Sequence, residues 1–143
     1  MTKPPKKKKV KSPTYWRKKC VQRAKDEAKR MAGYRCEYCG KTKAQGWQMH
    51  GSHILPEGAY PLMSASPENI LCLCAEHHVA GMSSYMGNSR EPSWHGDPIH
   101  FANWFNKKWP NRYKELRAMN EEKRTHVVNW EKAYRELKLL GAE

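Results

Sequence analysis

The sequence lacks any apolar run of membrane-spanning length, and its lysine-rich N-terminus lacks the apolar segment of a secretory signal. We therefore expect a soluble, cytoplasmic protein with no membrane partner. Hydrophobic residues make up only 38% of the 143 residues. A chain of this kind can bury only a modest core, so a structural metal would help it to fold.

Acidic residues are scarce where basic residues cluster. Residues 1–35 hold 14 Lys and Arg against 2 Asp and Glu, whereas residues 36–100 carry a net charge of −3 and residues 101–143 a net charge of +4. A mildly acidic centre between basic flanks indicates a site that its flanks hold on a polyanion such as DNA. A simpler alternative is that the surplus lysine only aids solubility.

The basic N-terminal region divides into a tail and a helix. Residues 1–14 are rich in proline and lysine, and we expect them to be disordered; their lysine run is either a nuclear-import signal or a phosphate-binding arm. Residues 15–33 have helical periodicity, with Gly33 as the exit. The basic face of this helix is either simply solvated or in contact with phosphate. On its apolar face, we expect Cys20 to be a buried thiol.

Two half-sites with the spacing of metal ligands lie in the centre of the chain. They are Cys36-x-x-Cys39, followed by glycine, and Cys74-x-x-His77. Together they predict a tetrahedral Cys₃His zinc site that has no open position and is therefore structural. A redox role for the cysteine pair is disfavoured, because no thioredoxin-like βαβ pattern surrounds it. His77 and His78 can exchange roles as the fourth ligand.

The segments around the half-sites predict a small α+β arrangement. We expect strands over 47–55 and 68–73, the second leading into Cys74, and then a helix beginning at His77 with Met82 in its first turns. Residues 83–98 are predicted to be loop. Three C-terminal helices are expected, and they are marked by His100 to Trp109, by Tyr113, Leu116 and Met119, and by Val127, Trp130, Tyr134 and Leu137 before Gly141.

A second set of polar residues lies between and just after the half-sites. It comprises His50, His53, Asn69 and His78. Together with the half-sites, this set resembles the zinc-bearing form of the HNH (ββα-metal) endonuclease family. The matching order is Cys-x-x-Cys, then His53-Ile54-Leu55-Pro56, then Asn69 to Cys74, and then a histidine directly after His77. The aromatic C-terminal helices are similar to those of phage recombination-type HNH proteins.

The resemblance implies a metal-dependent endonuclease that hydrolyses DNA phosphodiester bonds, leaving 5′-phosphate and 3′-hydroxyl ends. In that reaction His53 would be the general base, since imidazole titrates near neutrality. Asn69 would hold the His53 ring through a hydrogen bond. His78, together with His50, would bind one catalytic divalent cation, Mg²⁺, Mn²⁺ or Ni²⁺.

One position departs from the family pattern. The acidic residue that usually precedes the base histidine is Ser52 here, and a neutral hydroxyl is a poor ligand for a hard cation. Either His50 compensates, or the ion is held mainly by His78 and the substrate phosphate. The rival interpretation is a catalytically weak or inactive, zinc-stabilised nucleic-acid-binding or assembly protein. A zinc-bearing transcription-type module leaves His53 and Asn69 unexplained.

The predicted fold is therefore α+β, a small ββα-metal core pinned by a structural zinc. We divide the chain into a basic tail at 1–14, a basic helix at 15–33, a nuclease core at 34–100 and a helical extension at 101–143. The expected partner is DNA, and a monomer is favoured.

Overall fold

The computed structural model describes residues 2–5, 10–80 and 93–140. Within these ranges the chain forms four α-helices and one two-stranded antiparallel sheet. The elements are α1 (Pro13–Met31), β1 (Met49–His53), β2 (Ile70–Cys74), α2 (Pro98–Lys108), α3 (Arg112–Lys123) and α4 (Trp130–Leu140). The predicted mixture of helices and a small sheet is thus confirmed.

The sheet places the two sequence motifs side by side. Met49 pairs with Cys74 and His53 with Ile70, so the His50–His53 segment runs directly alongside the Ile70–Cys74 strand. Every residue of β2 is buried. The all-apolar sequence of β2 is typical of a strand that is covered on both faces, and it makes β2 the centre of the fold.

Helix α1 forms where its sequence signals predict. The Ser12 side chain accepts a hydrogen bond from the Tyr15 amide, and proline occupies the first turn. At the other end, Gly33 and Tyr34 take positive φ angles of 67° and 54°, and the Tyr34 amide donates to the Lys29 carbonyl at 2.8 Å. This left-handed exit satisfies the last carbonyls of the helix.

Two apolar clusters hold the helices on the sheet. The first surrounds Leu55, Leu71 and Leu73 and takes in Phe105 and Leu116 from the C-terminal helices. The second joins α1 to α4 and contains Cys20, Ala24, Ala28, Ile70 and Leu137. Cys20 is fully buried, as predicted, and its thiol donates to the Trp130 carbonyl at 3.0 Å.

The structure corrects several boundaries. Strand β1 is two residues shorter at each end than predicted, and β2 begins two residues later and includes Cys74. Helix α2 begins at Pro98, where the Asp97 side chain caps it. Val127 was expected on the last helix, but it is fully exposed and precedes α4, which begins at Trp130. Met31 was expected on the apolar face of α1 and is 61% exposed, because the helix ends there.

Other expectations concern residues beyond the described ranges. Met82, most of the predicted loop at 83–98, and Gly141 lie outside them. None of the helices in the described part of the chain is long and apolar enough to cross a membrane.

Candidate functional site

The first half-site, residues 36–41, is a tight turn docked on the central strand, and we call this turn the knuckle. The Cys36 amide donates to the Lys41 carbonyl and the Gly40 amide to the Cys36 carbonyl, with Gly40 at φ 78°. Glu37 fixes this turn to β2, because its amide donates to the Cys72 carbonyl and its carboxylate accepts from the Cys72 amide, both at 2.8 Å. The turn is therefore held in register with Cys74.

The four predicted zinc ligands converge. The ligand atoms of Cys36, Cys39, Cys74 and His77 all lie within 4.8 Å of one another. The Cys39 and Cys74 sulfurs are 3.8 Å apart, and His77 Nδ1 lies 3.2 Å from the Cys74 sulfur and 4.0 Å from the Cys36 sulfur. Tetrahedral zinc with its usual bond lengths separates such atoms by about 3.5–3.8 Å. The cluster can hold a structural metal such as zinc.

The electrostatics of the cluster favour a cation at its centre. Burial raises the pKa of the Cys74 thiol to about 12, and the neighbouring Cys36 and Cys39 add to that effect. Burial also raises the pKa of Cys39. Three cysteines at this distance ionise together only if a positive charge offsets their mutual repulsion.

His77, rather than His78, completes this set. His77 is 2% exposed, and its ring lies under the Tyr38 ring at a centroid distance of 4.6 Å. Tyr38 in turn packs on Phe101 of α2 at 4.6 Å. An aromatic layer from the knuckle and α2 therefore covers the histidine side of the cluster.

His78 points to a different group of histidines. Its Nδ1 lies 2.8 Å from His50 Nδ1, and its Nε2 lies 3.2 Å from His95 Nε2. His78 belongs to a π-helical turn at Glu76–Ala80, and such turns often occur at functional sites. We call His50, His78 and His95 the histidine cluster.

Two members of the histidine cluster are neutral at neutral pH. Burial, with smaller contributions from His95, His50 and nearby cations, lowers the pKa of His78 to about 4. Burial also lowers the pKa of His50, with contributions from Lys29 and Lys25. Neutral imidazole is the metal-binding form of histidine. His78 uses opposite nitrogens toward its two neighbours, so an ion would be shared by His78 and one of them in this arrangement.

His95 was missed by the sequence analysis. It lies 17 residues after His78, in a segment predicted only to be loop. The backbone brings it back, because the Trp94 amide donates to the His77 carbonyl at 2.7 Å and the His95 amide to the His78 carbonyl at 3.1 Å. No spacing in the sequence predicts that His95 lies beside His78. The one local signal is that His95 stands between a tryptophan and a glycine in a turn.

His53 lies at the end of β1 and is half-buried. Its Nε2 is 2.8 Å from the Ser64 carbonyl, which can only accept a hydrogen bond. A hydrogen bond between them needs a proton on Nε2, and in the neutral ring this leaves the lone pair of Nδ1 available. A positive charge on the His53 ring would lower the pKa of His78 further, so His53 lies near the histidine cluster.

Asn69 has partners other than the one expected. Its Oδ1 accepts from the Leu55 amide at 2.8 Å, and its Nδ2 donates to the Leu55 and Met63 carbonyls at 3.1 and 3.0 Å. The amide is fully buried and both Nδ2 protons donate to these carbonyls, while the His53 ring bonds the Ser64 carbonyl in place of the expected bond to Asn69. Asn69 instead fixes the loop that presents the Ser64 carbonyl to His53.

Ser52 is the remaining polar residue of β1. It is 2% exposed, and its Oγ makes no hydrogen bond to any of the residues that the structure describes. Residues two apart in a strand share a face, so Ser52 and His50 project from the same side. The Ser52 hydroxyl is thus a buried polar group on the His50 face of β1 that has no hydrogen-bond partner among the described residues.

Comparisons of this chain with protein-family models, with curated proteins and with solved structures give no significant match. The function of this chain is therefore inferred from the geometry of its Cys₃His set and its histidine cluster.

Proposed function

We propose that the protein is a metal-dependent endonuclease of the HNH type that hydrolyses DNA phosphodiester bonds. The observation that carries the proposal is the contact of His50 and His78 beside a cluster that can hold a structural metal, with His53 on the same strand as His50 and its Nε2 bonded to the Ser64 carbonyl. In this proposal the zinc cluster holds the knuckle, β2 and the π-helical turn together.

Each residue has a defined task in the proposed reaction. His53 Nδ1 takes a proton from the attacking water, while the Ser64 carbonyl holds the ring through Nε2. The water oxygen forms a bond to phosphorus as the bond to the 3′ oxygen breaks. The departing 3′ oxygen takes a proton from solvent water, which leaves 5′-phosphate and 3′-hydroxyl ends. Neutral His78, with His50 or His95, would hold the divalent ion. That ion, when bound, supplies positive charge to the phosphate and to the departing oxygen.

Nitrogen ligands indicate which ions would suit the site. Imidazole suits the later transition metals, whereas Mg²⁺ prefers oxygen ligands. With Ser52 in place of an acidic residue, we expect Mn²⁺, Ni²⁺ or Co²⁺ to support cleavage better than Mg²⁺. Ser52→Asp adds an oxygen ligand on the His50 face and should shift the preference toward Mg²⁺.

Replacing His78 by alanine is expected to raise the concentration of Mn²⁺ needed for half-maximal plasmid cleavage by about 10-fold or more, because a ligand is removed. High Mn²⁺ should partly restore the rate. Loss of either neighbour, in His50→Ala or His95→Ala, should raise the requirement less, since one partner of His78 is left. The measurement is the nicking rate of supercoiled plasmid against Mn²⁺ concentration.

His126→Ala is the matched control for that series, because His126 is exposed and lies after α3. Its metal requirement should equal that of the parent. A His78→Ala protein with an unchanged Mn²⁺ requirement contradicts the assignment of the catalytic ion to this cluster.

The basic tail should contribute to DNA affinity independently of the DNA sequence. Because Ser12 caps α1, the deletion should stop at Lys11, and it removes six lysines while keeping the helix intact. We expect weaker binding to all DNA sequences and a shallower dependence of log K on log salt, by about 0.9 for each phosphate that the tail neutralises in the parent. Titrations at several salt concentrations measure this. An unchanged slope argues against a role for the tail.

The rival function is nucleic-acid binding or assembly without catalysis. Ser52 favours it, since the ligand most often found in the family is missing. It would keep the structural metal and the basic flanks, and the plasmid assay separates it from the nuclease.

A further inference from the structure

A cleft opens between α1 and the loop that leads into β1. Its volume is about 570 Å³, which is within the usual range of pockets that bind small organic molecules. Helix α1 contributes one wall, and residues around Trp47 contribute the other. The catalytic residues proposed above are not among its lining residues.

The walls of the cleft are basic. Arg23, Lys29 and Lys43 line it, and Asp26 is the acidic residue among the lining side chains. The Asp26 carboxylate lies 3.6 Å from Lys29 Nζ and also accepts a hydrogen bond from Gln22. Its charge is thus already offset, and the cleft as a whole attracts an anion.

Two aromatic rings in the cleft are partly exposed, and a lysine ammonium lies near each of them. Trp47 is 39% exposed and Tyr34 is 42% exposed. Four of the six tryptophans (Trp94, Trp104, Trp109 and Trp130) pack against the apolar clusters, and Trp47 does not. Lys41 Nζ lies 3.9 Å from the centroid of the Trp47 ring, which is a cation–π contact.

The cleft adjoins the histidine cluster. Trp47 precedes His50 by three residues, so their Cα atoms are at most about 11 Å apart. Helix α1 crosses β1 at Gly51, where a Cβ atom would lie 2.7 Å from Lys25 Cγ. Lys29 lines the cleft, and its charge also contributes to the lowered pKa of His50. The cleft and the histidine cluster are therefore neighbours.

We infer that this cleft binds one unstacked nucleobase and its flanking phosphates from single-stranded or locally opened DNA, next to the cleaved phosphate. Aromatic rings with cations along a groove are what a single strand requires, since each base can stack and each phosphate needs a positive charge. The inference rests on the proposed function for the position of cleavage, and not for binding itself.

The test is fluorescence anisotropy of a labelled oligothymidine with the zinc-loaded full chain and no other divalent metal. Trp47→Ala should weaken binding by about 5- to 100-fold, the usual loss for one stacked base. Trp47→Phe keeps a ring and should stay within about threefold of the parent. Tyr113→Ala, which removes a 43%-exposed ring from α3, is the matched control and should bind like the parent.

A second probe separates stacking from charge. An oligonucleotide of abasic sites keeps the phosphates, and the parent should bind it about as weakly as Trp47→Ala binds oligothymidine. Equal affinity of the parent for the two probes, or of Trp47→Ala and the parent for oligothymidine, overturns the inference. The inference is also overturned if Trp47→Ala weakens the binding of a poly-glutamate peptide by the same factor as the binding of oligothymidine, because the cleft would then recognise acidic chains in general.

The two proposals can fail separately. If the parent cuts no DNA but binding depends on Trp47, the nuclease function fails and the base-binding cleft stands. If the parent cuts DNA and Trp47→Ala binds oligothymidine normally, the cleft inference fails and the nuclease stands.

Discussion

Replacing Cys74 by alanine is expected to unfold the sheet and the knuckle together. Structural zinc sites contribute an apparent free energy of about 10–16 kcal/mol, which is as large as the total stability of most domains. Cys74 is fully buried and lies at the end of β2, where it joins the second half-site to the first. The variant should lose its bound zinc and its cooperative thermal transition, as measured by elemental analysis and circular dichroism.

Cys72→Ala is the matched control for that experiment. Cys72 is on the same strand and equally buried, but it lies outside the metal cluster. It should keep a full equivalent of zinc and lose only a little stability. Folded parent protein that carries less than about half an equivalent of zinc contradicts the site.

Replacing His53 by alanine is expected to lower the cleavage rate by about 10²–10⁴-fold, the usual cost of losing a general base. The ring is half-buried and its hydrogen bond is to the Ser64 carbonyl, so the fold, the zinc and DNA binding should survive. Single-turnover cleavage at saturating Mn²⁺ measures the effect. Because metal binding is intact, added Mn²⁺ should not rescue this variant, in contrast to His78→Ala.

His53→Gln is a useful companion variant, because glutamine can still donate a hydrogen bond to the Ser64 carbonyl but cannot take the proton. It should be as slow as His53→Ala. A rate close to that of the parent in either variant contradicts the role of His53 as general base.

The metal cluster was predictable from sequence because its geometry is mostly local. Two residues between ligands place both on one turn, and β2 needs only to bring Cys74 beside the knuckle. The choice between His77 and His78 was not predictable, since adjacent residues in a helix or turn point in different directions. Only the packing of Tyr38 on His77 and the approach of His50 to His78 separate them.

The histidine cluster was predictable only in part. His50 and His78 could be identified from their positions in the motif. His95 could not, because backbone hydrogen bonds between residues far apart in sequence place it beside His78, and no periodicity indicates them. Asn69 was identified as important, but its partners depend on the path of the loop from Leu55 to Ser64. Helix positions followed from apolar spacing and caps, and their ends were less well predicted because end positions depend on local contacts.

Whether the protein is a metal-dependent endonuclease is decided by the nicking of supercoiled plasmid by the zinc-loaded parent as a second divalent metal is titrated. We expect no nicking without added metal and a saturable rise in open-circular DNA with Mn²⁺ or Ni²⁺, with 5′-phosphates at the breaks. A fully zinc-loaded, folded protein that binds DNA and produces no breaks with Mg²⁺, Mn²⁺, Ni²⁺ or Co²⁺ would contradict it.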